Sequence, residues 1–198
     1  MFTSLTNWKI HHKVIAQCFD TTSSNTGWIS GAAILLEKHL NHPLLYLSCR
    51  HHISELYLHA ACKTVYDYKK GETLLQCEMV KDSWQSIDHS EYTTLVLDGS
   101  WEAELKKTVI NFRNKCLKDN NQPRADYKEL LMLTLLVLGQ SQSSSIKAPG
   151  AYSKARWMAI AIYTLRIFIF QKQLTFAQTI KGTIVSLTKF IVLIYTKY

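Results

Sequence analysis

The segment Ala16-Gln17-Cys18-Phe19-Asp20-Thr21-Thr22-Ser23-Ser24-Asn25-Thr26-Gly27, with Ser48-Cys49-Arg50-His51-His52 further on, constrains the fold more than any other part of the chain. It reads as an apolar strand ending in a carboxylate, a polar loop, a helix, a second apolar strand, and a Cys-x-x-His opening another helix. Val14 to Asp20 is an apolar run closed by a polar loop, the pattern of a strand buried on both faces. Ser30 is placed to cap a helix running to Leu40, with Ala33, Leu36 and Leu40 at helical spacing. Asn41-His42-Pro43 stops it, and Leu44 to Ser48 forms the second strand. The next helix is expected to carry Ile53, Leu56, Tyr57, Ala60 and Ala61 on one face. Strand, helix, strand and helix with short connections predict two parallel strands joined by a right-handed crossover. Two strands alone do not make a stable sheet.

Beyond Tyr68 the chain changes character. Lys69-Lys70-Gly71 breaks it, Glu78 to Ile87 suggests a short helix, and Tyr92 to Asp98 holds a short apolar run. Trp101 to Leu117 reads as an amphipathic helix with Leu105, Val109, Phe112 and Cys116 on one stripe. Ala125 to Leu138 is a strongly apolar helix ending at Gly139, a good C-terminal cap. The Ser/Gln-rich run over 140–148 is the most linker-like composition in the chain. Two further helical segments follow, Tyr152 to Gln171 and Phe176 to Lys197. The expected fold is therefore an α/β unit over 1–68 followed by a mostly α-helical region over 69–198.

Composition limits the class. Of 198 residues, 47% are hydrophobic and 19% charged, which suits a globular chain rather than a disordered one. The formal net charge of +8 permits an anionic partner, but the basic residues are spread without one dense cluster. Five cysteines without close pairing, and no signal peptide over Met1 to Lys13, point to free thiols in a reducing, intracellular setting. Apolar runs near the C-terminus are interrupted by Arg166 and Lys189, so buried or partner-facing helices are expected there and no membrane span.

Taken singly, the candidate residues each have two readings. Asp20 at a strand end suits a metal-binding carboxylate, yet Asp, Thr, Ser and Asn are also plain turn formers. Cys49 and His52 have zinc-chelating spacing, with His59 and Cys62 on the same helix as further donors. A closed zinc site needs four ligands in tight pairs, and a buried Cys with a hydrogen-bonded His at the strand-to-helix corner is the other reading. Ser23, Ser24 and Cys49 raise a hydrolase, but no Gly-x-Ser-x-Gly or Gly-rich phosphate loop accompanies them. Arg156-Trp157 could stack on a nucleobase, or bury the indole and snorkel the guanidinium.

Taken together, Asp-x-x-x-Ser-Asn-x-Gly, then Cys-x-x-His, then Arg-Trp resemble hAT-type (hobo/Activator-like) transposases and transposon-derived proteins. The resemblance spans Gln17 to Trp157 in short motifs, and the middle of the chain adds none. It implies an RNase H-like domain interrupted by a helical insertion. Asp20 and Asn25 then match the segment with the second catalytic aspartate, Cys49 and His52 the family's Cys-x-x-His element, and Arg156 and Trp157 its Arg-Trp element. The intact family uses Mg²⁺ or Mn²⁺. Its first aspartate belongs to strands that precede the Asp20 strand, where only Met1 to Lys13 stands here. Its final glutamate lies beyond the insertion, and this chain has no acidic residue after Glu129. Two-metal phosphoryl transfer needs several carboxylates around two cations.

The expectation is a transposon-derived chain truncated at both ends and catalytically incomplete. Asp20 is left as a weak metal carboxylate, no bound cofactor is expected, and DNA binding should be weak and non-specific in a nuclear location. The alternative is a protein-interaction module without nucleic-acid activity. Either way the small sheet should expose a strand edge that self-association or a partner chain covers.

Overall fold

The computed structural model describes residues 1–65, 78–118, 124–140, 146–150, 158–176 and 178–195. Arg156, Trp157, the Lys69-Lys70-Gly71 break and the 141–145 part of the linker lie outside these residues. The chain divides into two compact units, Met1–Leu56 and Tyr57–Tyr198. It is mostly helical, and among the described residues its sheet is one parallel pair of strands.

The first unit begins with α1 (Phe2–Asn7) and a 3-10 turn (His11–Lys13), followed by β1 (Ala16–Phe19), α2 (Ser23–Thr26), α3 (Ala32–Leu40) and β2 (Leu45–Ser48). Helix α4 (Arg50–Val65) starts in this unit and ends in the second. β1 and β2 pair in parallel, Ala16 opposite Leu45 and Phe19 opposite Ser48. Parallel pairing follows from the helical crossover between them, since a tight hairpin can only reverse the chain. Asn41 ends α3 as the sequence predicts, in the left-handed conformation (φ 58°) with its N–H on the Glu37 carbonyl at 2.9 Å.

Two details of this unit depart from the sequence reading. The residue that starts α3 is Gly31, not Ser30. Gly31 donates its N–H to the Gly27 carbonyl at 2.9 Å, which draws Ser30 into a turn. A Cβ on Gly31 would meet the Gly27 N and O atoms at 2.5 Å, so only glycine allows this approach. The strands are also not buried on both faces. In register, Gln17 lies beside Tyr46 on one face, while Ala16 and Cys18 lie beside Leu45 and Leu47 on the other. Gln17 Nε2 donates to the Ala33 carbonyl at 3.3 Å and Tyr46 OH to Glu37 Oε2 at 2.8 Å, so α3 covers the first face. Cys18 is exposed on the second, with Leu45 and Leu47 at 64% and 47% exposure. An apolar run makes burial on both faces possible, but burial requires a second layer.

The second unit is a helical core. It contains α5 (Ser100–Lys118), α6 (Ala125–Val137), α7 (Ala159–Ile169) and α8 (Gln178–Leu193). Every α7 residue from Ile160 to Ile169 is buried, as expected for a helix that is apolar on all sides. Helix α4 buries Leu58 and Cys62, with Ala61 and Val65 packed on the core, and leaves Leu56 and Tyr57 exposed. Of the expected face of Ile53, Leu56, Tyr57, Ala60 and Ala61, Ala61 packs on the core and Ile53 is half-buried, while Leu56, Tyr57 and Ala60 are exposed, so the buried stripe is displaced by part of a turn. α4 has apolar side chains around most of its circumference, and tertiary packing selected among them. α5 likewise turns Glu102, Val109 and Arg113 inward and leaves Phe112 exposed.

The apolar run Tyr92 to Asp98 is neither helix nor strand and closes two helix ends. Thr93 donates its N–H to the Ile169 carbonyl at 2.7 Å, and Leu95 to the Val137 carbonyl at 2.8 Å. These acceptors lie at the ends of α7 and α6, where helical carbonyls have no partner within their own helix. Gln173 adds a side-chain clamp, accepting from Asp88 N–H at 2.8 Å and donating to the Asp88 and Glu91 carbonyls at 2.8 Å each.

The two charges that interrupt the C-terminal apolar runs both find carboxylates. Arg166, only 2% exposed, bonds Glu129 and the carbonyls of Lys147 (2.9 Å) and Ala148 (3.3 Å), and lies over the Trp84 and Tyr163 rings. Lys189 Nζ donates to Glu102 Oε1 at 3.0 Å. Among the described residues no helix is long and apolar enough to cross a membrane. Arg113 is the exception to this pairing. It is 4% exposed, its Nε and Nη2 have no hydrogen-bond partner among the described residues, and burial pushes its pKa down to about 10.

The two arginines should respond in opposite directions to the same substitution. Arg113→Met removes a buried charge whose Nε and Nη2 have no hydrogen-bond partner among the described residues and should stabilise the fold by about 1–4 kcal/mol, whereas Arg166→Met strips Glu129 of its partner and should cost about 3–5 kcal/mol. Chemical denaturation midpoints check this; a destabilised Arg113→Met protein would show that Arg113 has a counter-charge.

Candidate functional site

The candidate site grows from the end of β1. The strand stops at Phe19, and Asp20 folds the chain back on itself through its own carboxylate. Oδ1 accepts from Thr22 N–H at 3.0 Å and from Thr22 Oγ1 at 2.5 Å, an Asx-type turn. Asn25 Nδ2 donates to the same oxygen at 2.7 Å, so α2 is tied to the strand end. Thr22 Oγ1 also lies 3.0 Å from Ser24 Oγ, and Thr26 Oγ1 donates to the Thr22 carbonyl at 3.0 Å. A Cβ on Gly27 would meet the Ser23 carbonyl at 2.8 Å, which makes the exit from α2 another glycine position.

These bonds set the acidity of Asp20. The Thr22 hydroxyl, then the Thr22 N–H and the Asn25 amide, hold its carboxyl below the usual carboxylate range, against the opposing effect of burial. His52 adds a smaller pull in the same direction, which brings it into the electrostatic field of Asp20. The sign of the linkage follows. A carboxyl depressed in the folded state contributes stability above its unfolded pKa, and that contribution is lost as pH falls through the folded value.

The second strand supplies the other half of the site. Cys49 donates its N–H to the Phe19 carbonyl at 2.8 Å, extending the parallel ladder by one rung, and its own carbonyl accepts from Ile53 N–H at 3.1 Å. Cys49 thus joins β2 to α4 by its backbone, and its side chain is half-buried. His52, also half-buried, sits 3.7 Å from Glu55 across one helical turn. Of the sequence-selected residues, Asp20 and Asn25 are in direct contact, and Asp20 and His52 interact electrostatically. Arg156 and Trp157 lie outside the described residues.

Neither metal reading is met by this donor set. Asp20 is one carboxylate, with Oδ1 already accepting three hydrogen bonds, and two divalent ions need several such groups. Among the described residues no group of three or more His, Cys, Asp or Glu side chains is placed to hold a metal. Cys62 is fully buried in the core of the second unit, and burial pushes its thiol up to about 12, so it does not supply a thiolate.

Sequence reasoning passed over Glu37. It accepts from Leu44 N–H at 2.6 Å and from Tyr46 OH at 2.8 Å, fixing the turn between α3 and β2 and the strand itself. These bonds, that of Leu44 first, hold its carboxyl below the usual range. Nothing in the local sequence distinguishes Glu37 from a solvated helix residue. The Gly27-x-x-x-Gly31 spacing was a readable signal for the tight turn.

No protein-family model, no curated protein and no solved structure matches the chain.

The turn predicts a titration. In a carboxyl-detected NMR experiment, Asp20 should titrate below an Asp in an unfolded peptide. Thr22→Val should move it upward by more than Asn25→Ala does. An Asp20 that titrates at the unfolded value would mean that the turn does not form.

Proposed function

We propose that the chain is a transposon-derived protein of the hAT type, with an RNase H-like α/β unit that lacks the acid set for phosphoryl transfer, and that it binds DNA weakly through backbone phosphates. The observation that carries this reading is the position of Asp20 immediately after β1 in a parallel strand pair, with Cys49 and His52 opening the helix after β2. The same strand-end aspartate and Cys-x-x-His, in the same order, are what the sequence shares with that family. Within the sequence, Asp20 is the only acidic residue before Glu37, and none follows Glu129.

Charge distribution supports DNA as the partner and the nucleus as the location. Residues 1–129 hold fifteen Lys and Arg against fifteen Asp and Glu, so the whole formal charge of +8 falls in residues 130–198. Arg166 and Lys189 spend theirs on Glu129 and Glu102. The remaining cations are dispersed along the sequence, a pattern that favours phosphate attraction over base reading.

A second reading, a protein-interaction module, is favoured by the uncovered sheet face with exposed Leu45 and Leu47. It predicts no salt-dependent DNA affinity.

Anisotropy titrations with unrelated duplexes test the first reading. Affinity should be equal across sequences and fall steeply between about 50 and 200 mM salt. No binding at the lower salt would favour the second reading, and sequence selectivity that survives salt would overturn the non-specific assignment. Calorimetry with Mn²⁺ should show weak binding. A two-ion isotherm of micromolar affinity, lost in Asp20→Ala, would overturn the incomplete acid set.

A further inference from the structure

Arg113 stands on the inward stripe of α5 with Glu102 and Val109, at spacings of seven and four residues that keep all three on one face of the helix. At the start of the stripe, Glu102 has Lys189. At the other end Arg113 is 4% exposed, and its Nε and Nη2 are buried without a hydrogen-bond partner among the described residues. Those two nitrogens belong together. Their N–H groups point the same way and form the side-on edge of the guanidinium, which matches the two oxygens of one carboxylate or phosphate group. The guanidinium also lies over the Phe112 ring, 5.1 Å from its centroid, a contact that supplies no oxygen to that edge. Burial does not remove the charge. It lowers the pKa of Arg113 to about 10, with Cys116 one turn on opposing it to a smaller extent, so the group stays cationic at neutral pH. The rest of the helix adds to that field. After Glu104, α5 carries Lys106, Lys107, Arg113, Lys115 and Lys118 and no carboxylate.

We infer that the Nε/Nη2 edge of Arg113 is a binding site for a small oxyanion, a carboxylate or a phosphate group. Either presents two oxygens to the two N–H groups and neutralises a buried cation that its own helix leaves without an acid. A DNA duplex cannot enter an edge so buried, so this site is separate from the backbone contacts proposed above. A small ion has a route in, because α5 ends at Lys118, five residues on, and helix ends fray at little cost.

Chemical denaturation of the full-length chain in chloride, acetate and inorganic phosphate, at constant ionic strength, tests the site. Acetate or phosphate should raise the folding equilibrium constant above its chloride value, about elevenfold at a free concentration about ten times the dissociation constant. A response to acetate assigns the edge to carboxylates, and one to phosphate assigns it to phosphoryl groups. Arg113→Met should lose the response, and so should Arg113→Lys, which keeps a charge without the fork. An equal response in Arg113→Met is the general action of the salt on exposed surface and overturns the site. An equal response in Arg113→Lys overturns the bidentate edge. No response to either ion overturns the proposal as well, and a destabilised Arg113→Met protein would then show that the edge is filled from within the chain. One readout needs no variant that folds. In the unsubstituted chain the Arg113 Nε–H resonance should shift with the same saturation, and an unmoved resonance overturns the site.

Discussion

The parallel pairing of β1 with β2 is the constraint from which the first unit follows. Parallel strands need a crossover that carries the chain back to the same end of the sheet. That requirement accounts for α2, the Gly27–Gly31 turn and α3 in succession. Glu37 closes the loop by holding both the Leu44 amide and the Tyr46 hydroxyl. Asp20 and Cys49 then lie at the same end of the two strands because the register leaves no other place for them. The Cys49 N–H on the Phe19 carbonyl is the last rung of the ladder.

The second unit is organised by a different problem, the placement of charge in an apolar bundle. A buried charge without a partner is costly, and pairing it restricts which helix faces can meet. Arg166 with Glu129 joins α7 to α6, and Lys189 with Glu102 joins α8 to α5. Glu102 also accepts from the Gly99 N–H at 3.4 Å, reaching back over the start of α5 like the acidic half of a capping box. Arg113 breaks the pattern: its Nε and Nη2 have no hydrogen-bond partner among the described residues, and its guanidinium lies over the Phe112 ring. The run through Thr93 and Leu95 belongs to the same economy of polar groups, since it supplies donors to helix ends that the core would otherwise leave unpaired.

The chemistry at Asp20 is that of an ordered turn. Three donors on one carboxylate oxygen fix its direction and lower its pKa, and His52 adds favourable charge when protonated. Such a group is well placed to orient a loop and poorly equipped to bind two cations alone. Its value to the functional reading is positional, because the strand end, the polar loop and the Cys-x-x-His helix follow one another along the chain.

Local rules were enough for the elements. Period and capping chemistry gave the strand pair, the stop at Asn41, the long helix beginning near Trp101 and the α6 stop before Gly139, which adopts φ 81°. They also gave Asp20 its place at a strand end and Arg166 and Lys189 their need for partners, since a charge within an apolar run must be paired or solvated. What the sequence could not decide was which side of an element meets which neighbour. Helix α4 has apolar residues on several faces, and only packing showed that Leu58 and Cys62 turn inward while Leu56 and Tyr57 stay out. The apolar strands promised two covered faces, yet Cys18, Leu45 and Leu47 are exposed, because periodicity records what a side chain can bury and not whether another layer is there to bury it. Glu37 was invisible for the same reason: its partners lie seven and nine residues away, and only the fold brings them to its carboxylate.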